Sequence, residues 1–261
     1  MTVPAGELRM KMIVYADFNC VFCYLASQRA DRLVRAGKAQ VDWRAVEHSP
    51  RLPVTGVKPS PRGADRTAND ADDIAEAASL ALPGERLPTT LPAVTSNTRA
   101  AVSAYAEAIT DGIEDRLRLR LFESIWARGR NLSGPEEVRR VVTDLLWPAD
   151  RIYPHLVSPD LPSTLLHDPD PMRIVSREGG TVAPDGGPLT NAAYYRIRRW
   201  RQEWLALLPA PVIPTVIGPD GAVHGGPDGL RCLAGFADPL PVVPRATAGP
   251  WPTSPTTSAD G

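Results

Sequence analysis

Met12-Ile13-Val14-Tyr15-Ala16-Asp17-Phe18-Asn19-Cys20-Val21-Phe22-Cys23-Tyr24-Leu25-Ala26-Ser27 is the stretch that decides the fold. Its first part is apolar and β-branched, as a buried strand is. After Asn19 the period changes: Cys23, Ala26, Ala30 and Leu33-Val34 recur at three- and four-residue spacing, which predicts a helix. Asp17 and Asn19 lie at the junction, where a turn and an N-cap are wanted. The pair Cys20-Val21-Phe22-Cys23 therefore straddles a strand-to-helix junction, with Cys20 at or just before the first helical turn. The free N–H groups of a helix start favour a thiolate there. Two thiols three residues apart can also close a disulfide with little backbone movement. Strand, CxxC, helix is a redox signal where the surrounding pattern is βαβ.

Two other readings of the pair stand beside that one. A structural zinc needs four ligands, and beyond this pair the chain offers only Cys232, His48, His155, His167 and His224. No second CxxC and no HxxxH accompanies them. The two cysteines can also be inert core residues, since a free Cys packs as a small hydrophobe. Their place at a helix start argues against that.

The 261 residues leave room for one large domain or two small ones, and 43% hydrophobic content supports a substantial core. The net charge is -1, which points to no polyanion partner. No apolar run approaches the ~20 residues that span a bilayer. Met1 to Lys11 lacks the apolar centre of a secretory signal, so a cytoplasmic protein is expected. Three cysteines, one without a partner, make no structural disulfide framework.

Met10 to Ala16 is expected as the first strand and 20 to 36 as the first helix, closed by Gly37. Residues 40 to 46 alternate polar and apolar, giving a second strand and completing a parallel β-α-β unit. Residues 49 to 68, rich in proline, read as a loop. Helices follow: 69 to 82; one opened by Ser96-Asn97 and ended by Gly112; Asp115 to Arg128, with Leu117, Leu121, Ile125 and Trp126 on one stripe; and one from Gly134-Pro135, with Val138, Val141, Val142 and Leu145 inward. A short helical turn is expected at 149 to 156 and a long loop at 167 to 190. Asn191 to Leu208 is helical again, with Trp200 and Trp204 on one face as core residues. Pro211 to Ile217, the turn Gly218-Pro219-Asp220-Gly221, and Ala222-Val223-His224 read as a β-hairpin. Pro214 cannot donate to a sheet ladder, so a bulge, an edge or a cis bond is required there. Pro227 to Gly235 is a last short helix. The tail from Asp238 is too rich in Pro, Thr and Ser to order itself.

This order of elements, β-α-β, helices, then β-β-α with a proline at the hairpin, resembles a thioredoxin fold interrupted by helices. Within that fold it resembles the DsbA family, in the branch of FrnE-like oxidoreductases and 2-hydroxychromene-2-carboxylate isomerases. Asp17 to Tyr24 resembles the branch's D-x-x-C-P-W-C-Y signature. Ser96-Asn97-Thr98-Arg99-Ala100-Ala101 resembles its N-[ST]-x-x-A helix start. Leu121 to Leu132 resembles its L-F-x-A-x-F-x-x-G-x-[DN]-[IL] segment, and Val212-Ile213-Pro214-Thr215 its V-P-T loop with a cis proline. Val21 and Phe22 depart from the family's proline and tryptophan, and neither can stabilise a thiolate by charge or hydrogen bond. The isomerase and kappa glutathione transferase relatives usually carry serine at the first cysteine position, whereas this chain keeps both thiols. Asp17 resembles the acidic residue before the motif, and a turn or cap carboxylate is an equal reading.

The resemblance implies an α/β, thioredoxin-like fold with a large inserted helical subdomain. Residues 10–66 and 208–237 would form the thioredoxin-like domain, 67–207 the insertion and 238–261 a disordered tail. The expected activity is cytoplasmic thiol–disulfide exchange, with Cys20 as nucleophile, Cys23 as resolving thiol and Pro214 packed beside them. Its partner would be a thiol or disulfide, protein or small molecule, and neither nucleic acid nor membrane. Ile213, Phe22 and Asn97 are the expected substrate-binding residues, with Asn97 otherwise an N-cap. No metal or resident cofactor is expected, with glutathione as a co-substrate in one version. Alternatives are a glutathione-dependent isomerase or transferase, and a binding protein without catalysis. His48 and His224 are expected to be ordinary surface or loop histidines, and Cys232 a packing residue outside any redox cycle.

Overall fold

The computed structural model describes residues 10–58, 64–88, 92–146 and 182–237. The expected helical turn at 149–156, residues 167–181 of the expected loop, and the tail from 238 lie outside the described residues. The strands are β1 (Met10–Ala16), β2 (Ala39–Ala45), β3 (Thr215–Ile217) and β4 (Val223–Gly225). The helices are α1 (Val21–Arg35), α2 (Ala64–Ser79), α3 (Arg99–Asp111), α4 (Glu114–Trp126), α5 (Pro135–Leu146), α6 (Asn191–Leu207) and α7 (Pro227–Phe236). The sheet order is β2-β1-β3-β4. β1 and β2 run parallel with Val14 beside Trp43, and β3 runs antiparallel to both β1 and β4. The β-α-β start and the closing hairpin thus form one mixed sheet.

Side chains alternate across that sheet. On one face Trp43 meets the Phe122 ring edge-on at 5.9 Å, and the Arg118 guanidinium lies 4.9 Å from its own ring centre. On the other face the next residue, Arg44, bridges the Tyr15 hydroxyl at 2.6 Å and Glu203 of α6 at 2.7 Å. Helices therefore cover both faces. The predicted apolar stripes of α3, α4 and α5 are all buried.

A buried ion pair ties the middle of the CxxC helix down. Arg29 of α1 is fully buried, and its guanidinium holds the Glu85 carboxylate in a fork at 2.7 and 2.9 Å. Its remaining donors reach Leu80 O and Leu230 O, each at 2.6 Å. A buried guanidinium persists only when paired and hydrogen-bonded in this way. It fixes α1 against the segment after α2 and against α7.

Away from the CxxC junction, three element boundaries differ from the sequence reading. α2 begins at Ala64, five residues before the expected Asn69, because no glycine or proline interrupts 64–68. The α3 N-cap position falls on Thr98, whose side chain makes no cap bond, while Asn97 one residue earlier accepts the Arg99 N–H on Oδ1 at 3.0 Å. The strand expected from Pro211 begins only at Thr215, after the proline that lacks an N–H for the ladder.

Candidate active site

β1 ends at Ala16, and the chain turns through Asp17-Phe18-Asn19 into α1. The N-cap of α1 is Cys20 itself: its backbone is extended, and its sulfur accepts the Cys23 N–H at 3.4 Å. The cap position expected at Asp17 or Asn19 is thus filled by the first thiol. On its other side the Cys20 thiol donates to Ile213 O at 3.8 Å. The Ile213–Pro214 bond is cis, as expected, and Pro214 follows the carbonyl that meets Cys20.

Cys20 is partly exposed, while Cys23, one turn on, is wholly buried. Burial pushes the Cys23 thiol well up from its ordinary value, and the Cys20 sulfur and the nearby Asp17 charge push it further. Asp17 is also wholly buried. Its Oδ2 accepts the His48 N–H at 2.7 Å, whereas Oδ1 makes no well-formed hydrogen bond. Burial raises its carboxyl from 3.8 to about 6, against the pull of the neighbouring Thr98 hydroxyl and of the His48, Phe18 and Asn19 amides. Asp17 therefore ties β1 to the segment after β2, and its raised carboxyl acts on the buried Cys23 thiol.

Cys20 opens into a cleft of about 400 Å³. Phe22, Ile125, Trp126, Val212, Ile213 and Pro227 give it apolar walls, and Asn19, His48, Asp73, Thr95 and Ser96 give it polar ones. Trp126 is held by its indole N–H on Phe18 O at 2.9 Å and stacks on Tyr24 at 6.4 Å. The Val212–Thr215 loop is held from α6, where the Trp204 indole N–H reaches Val212 O at 3.2 Å and Thr215 Oγ1 at 3.1 Å. A larger, more open groove along α6, beside Tyr195 and Arg199, lies on that helix's outer surface and contains no thiol.

Of the residues expected from sequence, the structure brings Cys20, Phe22 and Ile213 to the cleft and sets Cys23 and Pro214 behind it. It does not bring Asn97. That side chain is buried, donating to Leu52 O at 2.7 Å and accepting the Arg99 N–H at 3.0 Å, so backbone partners occupy it. Ser96 stands in the cleft wall instead. His48 is an exposed loop residue, as expected, yet it lines the cleft, and partial desolvation lowers its pKa. Periodicity marks Trp204 only as core, because an indole N–H bonded to a loop leaves no trace in it. Cys232 is free and half-buried in α7, packed against the core. Among the described residues no group of three or more His, Cys, Asp or Glu comes together as a metal site.

A mixed sheet with a CxxC pair at the β1–α1 junction, facing a cis-proline loop, defines a thioredoxin-like protein. A family model described as a DSBA-like thioredoxin domain matches residues 11–166, so the chain belongs to the DsbA-like family. Among solved structures it is similar to the "probable DsbA oxidoreductase" of Streptomyces coelicolor, at 15% identity and a TM-score of 0.51 over 93% of this chain and 97% of that one. It is also similar to the cytosolic disulfide reductase DsbM of Pseudomonas aeruginosa, at 15% identity and a TM-score of 0.50 over 86% of this chain and 97% of that one. A 2-hydroxychromene-2-carboxylate isomerase matches at 19% identity and a TM-score of 0.49 over 87% and 93%. No curated protein matches the chain.

Proposed function

We propose that the protein is a thiol–disulfide oxidoreductase with Cys20 as nucleophile and Cys23 as resolving thiol. The observation that carries this reading is the asymmetry of the pair: one sulfur caps α1 and opens to the cleft, and the other is sealed behind it. Attack needs access and a thiol that can ionise, and burial denies both to Cys23.

In the reductive direction the Cys20 thiolate attacks a substrate disulfide. Its S–S bond breaks, a Cys20–substrate disulfide forms and the first substrate thiolate leaves. Cys23 then gives up its proton, for which the Asp17 carboxylate is the nearby buried acceptor. Its sulfur attacks Cys20, and the second substrate thiolate leaves. The Cys20–Cys23 disulfide that remains is reduced by an external thiol. Ile213 presents backbone to an extended substrate segment, as an added strand would use it, and Phe22 supplies apolar contact. A cytoplasmic setting goes with this reading, since in a reducing compartment a CxxC is catalytic sooner than structural.

The test is turnover of a protein disulfide with dithiothreitol as donor, with and without glutathione. The reading expects turnover in both, abolished by Cys20→Ser. Turnover of a small glutathione conjugate alone would replace it with a glutathione-dependent isomerase or transferase, and glutathione would then be the co-substrate.

A further inference from the structure

The wall of the cleft at Thr95 and Ser96 is held by one side chain that is hydrogen-bonded to neither thiol. Asn131, in the link between α4 and α5, accepts on Oδ1 from Ser96 Oγ at 3.2 Å, Ser133 N at 3.1 Å and Ser133 Oγ at 2.5 Å. Its Nδ2 donates to Thr55 O at 3.1 Å. Each partner passes the constraint on. Ser96 Oγ accepts the Leu132 N–H at 3.0 Å, and Ser96 O accepts Asn19 Nδ2 at 3.2 Å, next to Cys20. Ser133 Oγ accepts the Asn97 N–H at 2.9 Å. Thr55 belongs to a loop that pairs with the cleft wall through Val57 and Thr95, at 3.0 and 2.8 Å. That loop has no slack: a Cβ on Gly56 would meet Ser133 Oγ and Val94 at 2.6 Å. Three chain segments far apart in sequence thus converge on one amide, and the wall residues they fix, Thr95 and Ser96, line the cleft.

We propose that Asn131 is a positioning residue of the cleft: it sets the wall that a substrate packs against, and through Ser96 O the Asn19 side chain beside the nucleophile. This rests on the reading of Cys20 as the reacting thiol. A wall residue acts on how substrate is held, so it moves KM, whereas the sulfur chemistry stays with the cysteines. Asn is suited to the place because one side chain must accept from three groups and donate to a fourth. Asp keeps the acceptors and loses the donor. Ala loses both.

The experiment has two arms. In Cys23→Ser/Cys232→Ser protein only Cys20 reacts, and its alkylation by N-phenylmaleimide is compared with that by N-methylmaleimide, referenced to a free cysteine peptide. The apolar cleft is expected to favour the phenyl reagent. Adding Asn131→Ala is expected to reduce that preference to the free-peptide value, and Asn131→Asp to keep part of it. In the otherwise unmodified protein, Asn131→Ala is expected to raise KM for a peptide disulfide about tenfold while kcat stays within about twofold. Amide exchange at Thr95 and Asn97 should speed up, with that of α1 unchanged. An unchanged reagent preference, or a loss in kcat alone, overturns the proposal. If the parent protein turns over no disulfide, the oxidoreductase reading fails, and the reagent preference still decides the role of Asn131.

Discussion

On the thiol side of the cleft, position comes from backbone and sulfur. Cys20 is fixed by the Cys23 amide of its own helix, which the local sequence supplies, and by the Ile213 carbonyl, which the cis-proline loop brings from 193 positions away. On the opposite side, position comes from amide and hydroxyl side chains. Ser96 is fixed by Asn131 and Leu132, residues 35 and 36 positions away in the chain. The difference teaches where each kind of failure will appear. Damage to the first side removes the reaction. Damage to the second leaves a competent thiol in a badly shaped cleft, since polar networks fail by losing partners rather than by losing chemistry.

The largest expected effect separates the two sides outright. Cys20→Ser should leave no measurable turnover of a protein disulfide, with circular dichroism unchanged. Substantial residual turnover would move the reaction off the helix cap.

Gly56→Ala attacks the second side. The glycine has φ +77, and an added methyl meets Ser133 Oγ and Val94 at 2.6 Å and Thr95 O at 2.8 Å. Left-handed backbone and overpacking together should cost about 2–4 kcal/mol. Urea unfolding reads this as a lower midpoint at constant slope, and Cys20 alkylation by a small reagent should survive below the transition. A neutral substitution would show that the wall yields easily.

Asp17→Asn probes the ground between the sides. Burial raises the folded-state carboxyl from 3.8 to about 6, so the native protein binds that proton more tightly than the unfolded chain does. The protonated form's contribution is complete below 3.8 and is lost as pH rises to about 6. Asn removes the titration, keeps an oxygen for the His48 N–H, and should stabilise the fold at pH 7 by about 1–3 kcal/mol. At pH 3 the gain should vanish. Release of a mixed disulfide should slow, because the proton acceptor beside Cys23 is gone. An equal gain at both pH values would mean that the carboxyl does not titrate as its burial implies.

The smallest effect is expected at Cys232. It is half-buried in α7, and Cys232→Ala should change turnover by less than about twofold, as a packing residue outside the cycle. Loss of activity with the fold intact would add a third thiol to the chemistry.

What the sequence made legible follows the same division. The β1–α1 junction could be read because strand and helix periods meet within sixteen residues and the cysteines sit on the change. The stripe Leu117, Leu121, Ile125 and the inward valines of α5 were legible for the same local reason, and all are buried. Asn131 was not legible as a hub. It falls on the [DN] position of the family-like segment, but nothing local shows what it binds, since its partner Thr55 is 76 positions away. Arg29 and Glu85, 56 positions apart, carry no local mark of their pairing in the core. Asn97 could be placed next to the helix start but not turned, and the direction of its side chain, toward Leu52 O, decides that it does not reach the cleft.

The division of labour between the two thiols is tested most directly by trapping. Cys23→Ser and Cys20→Ser proteins are each exposed to an oxidised protein substrate and run on non-reducing gels. The account predicts a stable Cys20–substrate adduct in Cys23→Ser, because the buried resolving thiol is missing, and no adduct in Cys20→Ser. Adducts accumulating in Cys20→Ser instead would contradict it.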